Sequence, residues 1–120
     1  MGFFSKNVMK KEYRVKKNEE FSRIIKRKQS LANRSFIIYY LKNDLDHSRI
    51  GISVSKKLGK AVIRNKIKRQ VRMMVQETVN LNDNYDYIVI VRNKYLHLDF
   101  SSNLNELRYL YKKILKRMEK

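Results

Sequence analysis

Arg49-Ile50-Gly51-Ile52-Ser53-Val54-Ser55-Lys56-Lys57-Leu58-Gly59-Lys60-Ala61-Val62-Ile63-Arg64-Asn65-Lys66-Ile67-Lys68-Arg69-Gln70-Val71-Arg72 changes its hydrophobic period part-way along. Up to Val54, Ile50, Ile52 and Val54 alternate with Gly51, Ser53 and Ser55. That is the period of a strand with one greasy face and one small, polar face. From Lys60 to about Asn80 the period becomes helical. At about 100° per residue, Ile63, Ile67, Val71, Met74 and Thr78 share one arc, predicted to face a core. Lys60, Arg64, Lys68 and Arg72 form an adjoining ridge, with Asn65 and Arg69 beside it.

Ahead of this stretch, Asn43 to Ser48 reads as a polar turn, and before it Phe36 to Leu41 is β-branched and aromatic, a strand. Phe36, Ile38 and Tyr40 are expected on the core face. Ile37, Tyr39 and Leu41 then face a covering helix or an open groove. Ser30 to Arg34 breaks the pattern. Further upstream, Asn18 is a plausible N-cap followed by Glu19 and Glu20, where a helix dipole favours anions. Phe21, Ile24, Ile25 and Lys28 complete a short helix. Downstream, Asn82 to Asn84 is a turn, Tyr87 to Val91 a buried strand, and Asn103 to Met118 a last helix. Residues 1–17 are basic and without a period, read as an arm (1–12) or an edge extension. The fold class is therefore α+β, a small sandwich of helices on a mixed sheet. A chain of 120 residues supports one such domain, 1–120.

The charge narrows the partner. Lys and Arg total 29 against 11 acids, a formal net charge of +18. Such a field draws polyanions. No acid occurs from Ser48 to Gln76, while eight cations fall between Lys56 and Arg72. A merely solvated face mixes signs with pairs one turn apart, so this block reads as an anion site. Arg64 and Arg69 can offer two-pronged forks to phosphate, with Lys60 and Lys68 as point charges. No apolar run reaches the roughly 18 residues needed to span a bilayer, and the first residues lack the apolar stretch of a secretory signal. With no cysteine, there are neither disulfides nor thiolate metal sites. The cytoplasm is the expected address, and no membrane partner is expected.

Between nucleic acids, a lone helix in a DNA major groove wants a helix-turn-helix partner or dimer symmetry, and neither is visible. RNA readers add aromatic platforms for unstacked bases. Phe21, Tyr39 and Tyr40 are the candidates here, although residue type alone places a strand Tyr in a core more often than under a base.

The order of residues then becomes specific. Gly59 to Arg72 resembles the signature of the protein subunit of bacterial ribonuclease P. Ser30-Leu31-Ala32-Asn33-Arg34-Ser35-Phe36 and Arg49 to Lys57 are similar to that family's strand segments, and Lys16-Lys17-Asn18-Glu19-Glu20-Phe21 to its first helix entry. The resemblance implies the order α-β-β-β-α-β-α, a two-layer sandwich of the ribosomal protein S5 domain 2-like fold with a left-handed crossover. It also implies a catalytic RNA partner that uses Mg²⁺ to remove the 5′ leader of precursor tRNA. On the family pattern, Arg64, Asn65, Lys66, Lys68, Arg69 and Arg72 face RNA together with Lys56, Lys57 and Lys60. Phe21, Ile25, Ile37 and Tyr39 line a cleft for the leader, with Lys56 and Lys57 near its rim. Two positions depart from the pattern. Lys66 replaces a common Arg, keeping charge without the fork, and Ile25 replaces a common aromatic, lining a groove without stacking. One protein per RNA is expected, with no obligate protein partner.

The chain itself is not expected to catalyse. His47 and His97 are its only histidines and read as surface residues, and no acid pair lies in the basic block to hold Mg²⁺. Ser53 and Ser55 have no base nearby in sequence. Hence no catalytic residue, no metal ligand and no cofactor of the protein's own is expected. The competing readings are a structural RNA-binding protein such as a ribosomal protein, a nuclease acting alone, and a DNA-binding module.

Overall fold

The computed structural model describes residues 10–118. Its elements are α1 (Asn18–Lys26), β1 (Ser30–Ala32), β2 (Phe36–Lys42), β3 (Arg49–Ser53), α2 (Ala61–Thr78), β4 (Tyr85–Val91) and α3 (Phe100–Met118). The strands form one mixed sheet in the order β1-β2-β4-β3. β2 is antiparallel to both β1 and β4, whereas β3 runs parallel to β4 and reaches it through α2. The α+β class and the element order are those expected. β1 lies in the stretch whose residue pattern alone read as a break. It is three residues long and paired with Ile37 to Tyr39 of β2.

The register sorts the sheet into two faces. Phe36 and Val91, Ile38, Val89 and Ile52, then Tyr40, Tyr87 and Ile50, stand in successive cross-strand rows on one face. α2 and α3 cover these rows with Ile67, Val71, Met74 and Val75, and with Leu107, Leu110, Tyr111 and Ile114. Burying a side chain of this size stabilises by roughly 1.5–3 kcal/mol, so this layer is the main core. Ile63 was expected in it but is 43% exposed. The first turn of α2 is exposed, Val62 to 80%, and Ile63 instead packs beside Gly59, where an added Cβ would come within 3.1 Å of it. Gly59 has φ +143°, a conformation that leaves glycine as the natural residue for this entry into the helix.

The opposite face has three rows. Leu41, Asp86 and Arg49 form the first; Ser30, Tyr39, Ile88 and Gly51 the second; Ala32, Ile37, Ile90 and Ser53 the third. α1 lies on this face. Its fully buried Ile24 packs in a cluster with Val15, Leu41 and Ile88. Phe21 settles over the second row because Gly51 leaves it room: a Cβ there would stand 2.6 Å from Phe21 Cζ. The third row stays half-open, with Ile37, Ile90 and Ser53 only partly buried.

The expected basic arm starts with residues 1–9, which lie outside the described residues. Residues 10–17 differ from the reading as an unpatterned arm and match an edge extension. Lys11–Tyr13 make a 3-10 turn, Arg14 bridges Ile50 in parallel, and the Val15 amide donates to the Ile50 carbonyl at 2.9 Å. His47 ties this segment down. Its Nε2 lies 2.7 Å from the Glu12 carbonyl, its Nδ1 2.9 Å from Asp46, and its ring edge-on to Tyr13. His47 is thus a half-buried structural clasp rather than a free surface residue, while His97 is exposed.

Candidate nucleic-acid interface

α1 divides its duties by angle. Phe21 and Ile25, one turn apart, lie on one side of the buried Ile24, and both stay half-buried with Tyr39 and Ile90 around the Val15–Ile24–Leu41–Ile88 cluster. With Ile37 on the third row, these side chains form an apolar groove between α1 and the open part of the sheet. The four cleft candidates are therefore brought to one face, though Ile37 stands on the outer row rather than in the packed cluster. Tyr39 is on the groove face and Tyr40 is 5% exposed in the core, so the alternation of β2 separates the two tyrosines.

The basic candidates fall into three groups. Lys56 and Lys57 sit on a 3-10 turn capped by Ser55, whose Oγ accepts from the Lys57 amide at 3.1 Å. These two, with Lys60, Asn65, Lys66 and Arg69, are exposed. Arg64 is half-buried and donates from Nε to the Gly59 carbonyl at 3.2 Å, so part of its fork braces the helix entry. Lys68 and Arg72 are half-buried and point into a cleft of about 290 Å³ that also takes in Phe21, Ile52, Arg14 and Lys16. A second cleft continues along the same edge past Asn18, Ser22 and Ser53, with Phe21 and Lys68 shared. Lys56 and Lys57, expected near the rim, line neither cleft.

None of the eight cations from Lys56 to Arg72 makes a salt bridge among the described residues. At the mouth of the 290 Å³ cleft the arrangement is unfavourable without an anion. Burial, with Arg14 beside it, pushes Arg72 below the ordinary arginine value. Arg14 Nε is itself buried without a hydrogen-bond partner. Two arginines lining one cleft that has no acid in its wall are stabilised by phosphate or another anion placed there. Arg14 and Lys16 were missed in the sequence because they lie in a run with no hydrophobic period. The bridge from Arg14 to Ile50 brings them to the site.

Among the described residues, no group of three or more His, Asp or Glu side chains could hold a metal ion. Nor is any described helix long and apolar enough to cross a membrane.

A family model described as Ribonuclease P matches residues 9–115. The chain belongs to the ribonuclease P protein family. The ribonuclease P protein component of Mesoplasma florum is 46% identical over 110 residues, covering 90% of this chain and all of that protein. That of Exiguobacterium sibiricum is 46% identical over 107 residues, covering 88% of this chain and 92% of its own length. Among solved structures, the Staphylococcus aureus RNase P protein superposes with a TM-score of 0.77 at 44% identity, over 85% of this chain and 94% of that one. The Thermotoga maritima RNase P protein gives 0.72 at 33% identity, over 83% and 96%. The groove between α1 and the sheet, and the basic ridge of α2, are thus features of a ribonuclease P family protein.

Proposed function

We propose that this chain is the RNA-binding subunit of a ribonuclease P ribonucleoprotein and acts in maturation of tRNA 5′ ends. It binds the catalytic RNA through the exposed cations of the Lys56–Arg72 block, namely Lys56, Lys57, Lys60, Lys66 and Arg69, with Asn65 and the free end of the Arg64 fork. It holds the single-stranded 5′ leader of precursor tRNA in the groove lined by Phe21, Ile25, Ile37 and Tyr39. The observation that carries this reading is the meeting of the two features at one edge. Phe21 shares its cleft with Lys68, Arg72 and Arg14, so a strand whose bases lie on the groove meets unneutralised cations along its backbone.

The mechanism is positional. Cations between two polyanions displace counterions and lower the Mg²⁺ needed to bring catalytic RNA and substrate together. Holding the leader favours precursor over mature tRNA, because only the precursor makes the extra contacts. Bond cleavage belongs to the partner RNA and its Mg²⁺, and the protein supplies no catalytic residue, metal ligand or cofactor. One protein per RNA in the cytoplasm, with no membrane or obligate protein partner, completes the proposal.

The test is reconstitution with a bacterial ribonuclease P RNA and precursor tRNA at low Mg²⁺. The chain is expected to stimulate leader removal. Absence of stimulation would leave a structural RNA-binding protein as the better reading, and cleavage by the chain without RNA would point to a nuclease.

A further inference from the structure

The one fully buried acid among the described residues stands on the groove face, at the far side of α1 from the groove. Asp86, in the first row, is 0% exposed. Arg49 beside it on β3 grips both its oxygens, Nε to Oδ1 at 3.0 Å and Nη2 to Oδ2 at 2.8 Å. Asn43 donates to Oδ1 at 2.8 Å. A guanidinium held by two of its nitrogens has no freedom left in its plane, so the direction of Arg49 Nη1 is set by the sheet. Nη1 donates to Glu20 Oε2 on α1 at 3.0 Å. Arg23, one turn further along α1, places Nη2 3.7 Å from Asp86 Oδ2. Signs alternate through Glu20, Arg49, Asp86 and Arg23, so the group is neutral within a strongly basic chain.

α1 is nine residues long, too short to hold its own position, and is seated by contacts alone. Ile24 is the one fully buried residue of α1, with Phe21 and Ile25 half-buried to one side of it, so the roll of the helix about its axis depends on what holds the other side. Glu20 lies on one side of Ile24 and Phe21 and Ile25 on the other, so the tie to Arg49 fixes the roll that sets how far Phe21 and Ile25 stand over the second and third rows. We propose that Glu20, held by the Asp86–Arg49 pair, is a positioning residue for the leader groove: it touches no RNA and acts by fixing the roll of α1 and hence the groove's width. This rests on the assignment of the groove to the leader.

The experiment uses the holoenzyme assembled from the full chain, ribonuclease P RNA and either precursor tRNA or the mature tRNA made from it. Glu20→Gln keeps the shape and removes the charge. The preference for precursor over mature tRNA is expected to fall about two- to fivefold, the scale of losing one partly buried charge pair. Affinity for mature tRNA should be unchanged. Glu19→Gln removes the same charge from the same turn at an exposed position and should leave the preference intact. Glu20→Asp should recover part of the loss. In a Phe21→Ala background, Glu20→Gln should have no further effect on the preference, because the groove wall it positions is gone.

An equal loss with Glu19→Gln would overturn the proposal, as would the same factor in both backgrounds or a matching loss on mature tRNA. If Phe21→Ala lowers the preference and Glu20→Gln does not, the positioning role alone fails. If Phe21→Ala leaves the preference intact, the groove assignment fails with it.

Discussion

Gly51→Ala tests the seating of Phe21 with one methyl group. The added Cβ would lie 2.6 Å from Phe21 Cζ, 3.1 Å from its Cε2 and 2.9 Å from Ile88 Cδ1. Ordinary carbon contact is about 3.5–4.0 Å, so the ring must retreat by roughly 1 Å. Gly51 has no positive φ, so the backbone accepts alanine and the whole effect lies in the collision. All three struck atoms lie at the far ends of side chains, which places the cost toward the lower part of the ~1–3 kcal/mol typical of overpacking. Phe21 is half-buried and borders open clefts, so the displaced ring moves out into that space and away from its seat on the sheet. Urea unfolding of the free protein should therefore show about 1–2 kcal/mol of destabilisation. The holoenzyme should lose about three- to tenfold in precursor affinity, part of the worth of one aromatic–base stack. Phe21→Ala should relieve most of the collision, making the two substitutions strongly non-additive in stability. Additive stabilities, or a Gly51→Ala protein of undiminished stability and precursor affinity, would refute this account of how Phe21 is held.

Arg14→Ala removes one of the two arginines that line the 290 Å³ cleft. RNA binding should weaken and the slope of log affinity against log salt should flatten by about 1, while the free protein loses little stability; an unchanged slope removes Arg14 from the interface. Ile24→Ala should destabilise by about 2–5 kcal/mol in denaturant unfolding, since a fully buried anchor of a short helix is lost, and a cost below about 1 kcal/mol would show that α1 is held by other contacts. The hydrogen bond to Asp46, followed by that to the Glu12 carbonyl, raises the His47 pKa above the ordinary histidine value. A pKa raised by folding means that this clasp stabilises fully below the unfolded-state value near 6.5 and is lost as pH climbs through the folded one. NMR titration of the His47 ring should thus place its midpoint above 6.5 in the native protein, and a value below it would contradict the clasp.

Periodicity made part of this molecule readable. The alternation of β2 separates Tyr39 from Tyr40 because the face of a strand residue depends on parity alone. Ile67, Val71 and Met74 reach the core at helical spacing, but Ile63 does not, since spacing says nothing of where a helix leaves the sheet. β1 is too short to show a period and was visible only through resemblance. β4 begins at Tyr85, whereas the apolar run alone starts it at Tyr87, because Asp86 interrupts that run and is accommodated in the strand by pairing with Arg49, 37 residues away. α3 begins at Phe100, earlier than its apolar stripe, with Asp99 accepting from the Ser102 amide. At the site, the cations of the Lys56–Arg72 block were legible as a same-sign run. Arg14, Gly51 and Glu20 were not, since each acts through a partner distant in sequence.

A leader groove and a general RNA-binding surface are separated by the affinity of ribonuclease P RNA for precursor and for mature tRNA, with and without this chain, at one salt and Mg²⁺ concentration. A groove that holds the leader predicts that the chain tightens precursor binding well beyond its effect on mature tRNA, and that Tyr39→Ala erodes this difference. Equal tightening of both tRNAs would contradict it, leaving the chain's cations as a general RNA glue and the groove as ordinary packing.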